Sequence, residues 1–135
     1  MKYFKIQELV DRKTFEEKGE ESFSYFNKEA LIALDDLREF FGKSIVVNNW
    51  ASGGKLQWRG LRLPACKEFS EGSQHSVGNA FDCTIVGLTA AEARELILLH
   101  KNDKLLKRIT RLEGNVRWLH FDLKPAVNRI RVFTA

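Results

Sequence analysis

Two short segments decide most of what this chain can become. In residues 79–86, Phe81, Cys83 and Ile85 alternate with other positions, and in residues 116–124 Leu119, Phe121 and Leu123 do the same. A period of two is a strand signal, and each such strand has one apolar side that must be covered. The alternation puts Asp82 and Thr84 on the back of the first strand, and Trp118, His120 and Asp122 on the back of the second. If the strands are neighbours, Asp82 and His120 reach one shared surface away from the core. His75 stands in a glycine-containing turn just before the first strand, where a loop can fold it over that surface.

Helices supply the cover. Leu31, Leu34, Leu37 and Phe41 recur at helical spacing in residues 28–41, with Asn27 as N-cap and Gly42 after the end. Thr89 opens a second helix that runs to about His100, and Glu92 completes its capping box. Residues 5–17 read as a third helix, with Ile6, Leu9 and Val10 on one face, and the acidic stretch 19–25 as a loop. Ile45-Val46-Val47 reads as a short strand, and residues 108–113 and 129–133 as two more. Gly114-Asn115 reads as a tight turn into the strand at 116–124. Between Trp50 and Val77 lies a long irregular stretch; such loops are uncommon inside compact domains and often functional. The expected fold is α+β, a small antiparallel sheet with helices packed on one face. A length of 135 residues points to a single domain over 1–135, expected to be a monomer.

Charge and cysteine usage exclude several roles. Twenty-two basic and 18 acidic side chains leave +4, scattered rather than gathered on one element, so no nucleic-acid partner is expected. The basic run Lys104, Lys107, Arg108 and Arg111 reads as solvated surface. No apolar run approaches the roughly 18 residues of a membrane span, so no membrane insertion is expected. Cys66 and Cys83 form no CxxC pair, which excludes a cysteine zinc ribbon. The residues after Met1 lack an apolar signal region, so the chain is expected to be cytoplasmic as synthesised.

Two histidines and one carboxylate make a recurrent catalytic zinc set with a fourth position left for water. Zinc in such a set acidifies the water and polarises a carbonyl. Spacing alone leaves a second reading open, in which His75, Asp82 and His120 are polar residues on a solvated face.

Ser73-Gln74-His75-x-x-Gly78-x-Ala80-x-Asp82 resembles the SxHxxGxAxD motif of the M15 metallopeptidases, the zinc D-Ala-D-Ala carboxypeptidases and L-alanyl-D-glutamate endolysins. Trp118-Leu119-His120-Phe121-Asp122 is similar to their closing W-x-H motif, and Arg62 in Gly60-Leu61-Arg62 to the arginine of an upstream GxR segment. The likeness covers roughly residues 45–124 and is nearest to the short phage-type members. It implies a Hedgehog/D-Ala-D-Ala-peptidase-like fold and one zinc per chain on His75, Asp82 and His120. Arg62 would hold a substrate carboxylate and Ser73 would bond substrate or a ligand. Trp118 would line the cleft. The substrate would be the peptide stem of peptidoglycan, reached if the protein is released to the cell wall, and either bond class fits.

One departure matters. Many members carry a catalytic Glu three residues before the second His; here that position is Arg117, which cannot act as a base. Glu113 is the expected general base, yet a tight Gly114-Asn115 hairpin would pair it with Val116 and leave it about 13 Å from His120. A bulge or wider loop would have to bring it closer. Asp122 is the fallback, with orientation of a neighbouring group as its other role. Arg117 also motivates the alternative of an inactive zinc-stabilised binding module, or a phage structural component, on the same scaffold.

Overall fold

The computed structural model describes all residues from Met1 to Ala135. Three α-helices, α1 (Arg12–Lys18), α2 (Lys28–Phe41) and α3 (Ala90–Leu99), join five strands: β1 (Ile45–Val46), β2 (Ala80–Ile85), β3 (Arg111–Glu113), β4 (Leu119–Asp122) and β5 (Arg131–Phe133). The sheet order is β1-β2-β4-β3-β5. The α+β class holds, but the sheet is mixed rather than antiparallel, because β5 runs parallel to β3. After β4 the chain swings through residues 123–130 and re-enters along the far side of β3, so the two strands point the same way.

The apolar sides of the strands meet the helices as their alternation requires. Phe81, Cys83 and Ile85 of β2, Leu112 of β3, and Leu119 and Phe121 of β4 join one core cluster. Ala30, Ala33, Leu34 and Leu37 of α2 and Ala93 and Ile97 of α3 complete it from the same side. Phe26 stacks on Phe81, with ring centroids 5.6 Å apart. The caps behave as their chemistry demands: Asn27 accepts from the amide of Glu29, and Thr89 and Glu92 close a capping box.

The first expected helix is broken. A single 3-10 turn, Ile6–Glu8, precedes α1, and Asp11 caps α1 by accepting from the amide and hydroxyl of Thr14. A carboxylate that can satisfy free amides does better at a helix start than inside it. The freed carbonyl of Val10 accepts from Asn48 Nδ2 and Trp50 Nε1. Ile6, Leu9 and Val10 stay buried as a group. Residues Gly19–Tyr25, expected as a loop, form a 3-10 helix.

The long segment from Trp50 covers the back of the sheet. Where β1 ends, the carbonyl of Arg59 accepts from the amide of Asp82, so this segment takes over the free edge of β2. Leu61 N–H donates to Leu9 O, and the contact is so close that a Cβ on Gly60 would lie 2.0 Å from that oxygen. Gly60→Ala is therefore expected to lower the unfolding free energy by about 1–3 kcal/mol, read from urea melts. An unchanged midpoint would contradict this backbone contact.

Candidate metal centre

β2 and β4 are neighbours, and Asp82 stands directly opposite His120. Their side chains share the face away from the core, and Asp82 Oδ1 lies 2.8 Å from His120 Nδ1. His75 arrives from a one-turn 3-10 helix, Gln74–Val77, whose first free amide is capped by the Ser73 hydroxyl. Gly78 ends that turn at φ 68°, packed so tightly on the backbone of Tyr25 and Phe26 that no side chain fits. Asn79 ties the turn down by donating to Gln74 Oε1 and accepting from Asn27 Nδ2. The result sets His75 Nε2 3.3 Å from Asp82 Oδ2. The ligand atoms of His75, Asp82 and His120 all lie within 4.8 Å of one another, and all three residues are buried.

Hydrogen bonds at the outer nitrogens fix what faces inward. Gly60 O can only accept, so His75 Nδ1 donates to it and turns the Nε2 lone pair toward Asp82. His120 Nε2 meets Asp122 Oδ2 at 2.8 Å, while Arg111 grips Asp122 through Nε at 2.9 Å and Nη2 at 2.7 Å. An arginine-bound carboxylate is an acceptor, so Nε2 carries the proton and Nδ1 turns to Asp82. Two imidazole lone pairs and a carboxylate thus converge, and the donor at their edge is Arg62 Nη2, 3.3 Å from Asp82 Oδ2. Such a set needs a shared proton or a cation, and the group can hold a metal ion.

Burial alone would depress the His120 imidazolium, but hydrogen bonds and charge from Asp122 and Asp82 overcome it and raise its pKa to about 9. Burial likewise opposes ionisation of Asp82, yet the neighbouring His120 and His75 hold it well below the ordinary carboxylate range. Asp122 is also lowered: burial works against its charge, and His120 and Arg111 outweigh burial. In the metal-free chain, then, a proton on His120 does what a cation would do.

Glu113 reaches the site by a different route from the one its turn suggests. The tight Gly114-Asn115 hairpin does not form. Arg111 pairs with Asp122 and Leu112 with Phe121, which carries Glu113 opposite His120 and leaves residues 114–118 as a wider connection. Asn115 takes the left-handed conformation within it, at φ 59°. Glu113 Oε1 lies 3.9 Å from His120 Nδ1, in place of the separation a tight hairpin would impose. Arg117 is exposed and lines a separate groove beside α3.

Arg62 borders the cluster, with Nη2 3.3 Å from Asp82 Oδ2 and Nε donating to Trp58 O. Ser73 and the half-exposed Trp118 line the same cleft, of about 410 Å³, as the three ligand candidates and Glu113. Asp122 is fully buried and engaged by His120, Arg111 and the Lys124 amide, so it orients His120 and has no free oxygen for a base.

Two neighbours escaped the sequence reading. Arg111 is not solvated surface: it is largely buried against Asp122, and its guanidinium lies 3.9 Å from the centroid of the Phe133 ring. Phe133 in turn meets His120 edge-on at 5.6 Å. Strand alternation around the buried Leu112 held the signal, because it puts Arg111 and Glu113 on the same side. Lys104 and Lys107 are exposed as expected, and Arg108 pairs with Glu29 and Asp36. No helix is long and apolar enough to cross a membrane.

No family model, curated protein or solved structure matches this chain.

The titration has a clear sign. A His whose folded pKa is raised contributes stability that is complete below its ordinary value of 6.5 and is lost as pH climbs through about 9. With a chelator present, the melting temperature is expected to fall across that window. With a saturating divalent transition metal the fall should disappear, because the metal replaces the proton. A flat chelator profile in a thermal-shift assay would contradict the protonated His120.

Proposed function

We propose that this chain is a zinc-dependent peptidase that hydrolyses peptidoglycan stem peptides. The observation that carries the reading is Glu113 beside an all-acceptor set of His75, Asp82 and His120 in one open cleft. Two imidazole nitrogens and one carboxylate oxygen suit zinc, and three protein ligands leave the open position that catalytic zinc sites keep. When bound to His75, Asp82 and His120, zinc would supply a Lewis acid that polarises the scissile carbonyl and acidifies a water.

The chain's own residues divide the remaining work. Glu113 accepts the proton of the attacking water and returns it to the leaving amine nitrogen, as a carboxylate at the edge of the set can do. Arg62 keeps its place through Trp58 O and Asp82, and its Nη1 makes no bond within the chain, which leaves it able to bind a substrate carboxylate. Trp118 offers an exposed aromatic wall on which the peptide can lie. Ser73 acts by holding the His75 turn through its cap. Asp122 keeps the His120 ring in its ligating orientation.

Arg117 in the place of the usual acid supports a rival, a zinc-stabilised binding module without turnover. Glu113 weighs against it, since a carboxylate able to serve as the base stands across the strand pair, 3.9 Å from His120 Nδ1.

Digestion of purified muropeptides, read by mass spectrometry, tests the assignment. The zinc-loaded chain is expected to cleave the stem peptide, and Glu113→Gln to lose about 10²–10⁴-fold in rate while keeping its zinc. Full activity in Glu113→Gln would remove Glu113 as the base. Bound zinc with no cleavage of any stem peptide would favour the binding module.

A further inference from the structure

Arg111 has no counterpart in the motifs, yet its geometry ties it to the metal centre. It stands opposite Asp122 in the β3–β4 pairing and grips both carboxylate oxygens, Oδ1 through Nε and Oδ2 through Nη2. Asp122 Oδ1 also accepts from the Lys124 amide, and Oδ2 from His120 Nε2. Each oxygen therefore receives two N–H donors, and neither is free to rotate toward another partner. The guanidinium itself lies over Phe133, 3.9 Å from the ring centroid, and that ring packs edge-on to His120 with an interplanar angle of 84°. Arg111, Asp122, His120 and Phe133 close a ring of contacts.

We propose that Arg111 is a positioning residue of this centre: by clamping Asp122 it commits Nε2 of His120 to donation and so presents Nδ1 to the metal. The inference rests on the metal-site reading but not on catalysis. Its physical core is the planar fork of arginine, which matches a carboxylate at two points and stacks on an aromatic face; lysine does neither as well. Without the fork, Asp122 can swing, the His120 ring can flip, and the cleft can offer the metal the wrong nitrogen.

Arg111→Lys keeps the charge and removes the fork; Asp122→Asn keeps the shape and breaks the same clamp from its other side. In the full-length chain, each is expected to raise the zinc Kd about 10–100-fold in competition with a chromophoric chelator. The double variant should lose no more than the worse single one, because both changes cut one linkage. In ¹⁵N spectra of the zinc-loaded protein, the slowly exchanging Nε2–H of His120 should be present in the wild type and lost in either variant. Wild-type-like affinity and an intact Nε2–H signal in Arg111→Lys overturn the proposal, as do additive losses in the double variant. A wild-type chain that takes up no zinc at all overturns the metal-site reading itself.

Discussion

Asp82 sits between two imidazoles whose inner nitrogens both face it, and the rest of the back of the sheet is arranged around that fact. Three acceptors within a few ångströms of one another repel unless a positive charge lies among them. Burial of the three side chains sharpens the demand, because it leaves them little water to screen one another. In the metal-free chain the demand is met by a proton on His120, whose pKa is raised to about 9, and by the Arg62 guanidinium 3.3 Å from Asp82 Oδ2. A divalent cation meets it better, since it can bond all three at once.

The outer contacts are what make the demand specific. Gly60 O takes the proton of His75 Nδ1, and Asp122 takes that of His120 Nε2. Gly60 can lie there only because it has no side chain to strike Leu9 O, so the broken N-terminal helix and the metal centre share one backbone contact. The Asn27–Asn79 bond joins the start of α2 to the turn that carries His75. Elements that look like scaffold thus hold ligand orientations, and changes there are felt at the site.

Much of this was legible in the sequence because it depends on periods of two and on local caps. Alternation put Asp82 and His120 on one face without knowledge of the fold, and Asn27, Gly42 and Thr89 marked their helices through their own hydrogen-bonding chemistry. The rest depends on partners distant in sequence. Gly114-Asn115 has the composition of a tight turn, but pairing is set by the match of buried Leu112 with Phe121, and that match moves Glu113 next to His120. Arg111 belongs to a basic run until Asp122 comes into view across the strand pair. The direction of β5 depends on the path taken by residues 123–130, which no local pattern encodes.

The central claim is that His75, Asp82 and His120 form one zinc site. X-ray absorption at the zinc edge of the protein, loaded and then dialysed, measures it most directly. The account predicts one zinc per chain with a first shell of nitrogen and oxygen at about 2.0–2.2 Å, two imidazoles among the ligands, and no sulfur. Loss of that signal is predicted in His120→Ala. A sulfur contribution from Cys66 or Cys83, or zinc retained unchanged in His120→Ala, would contradict it.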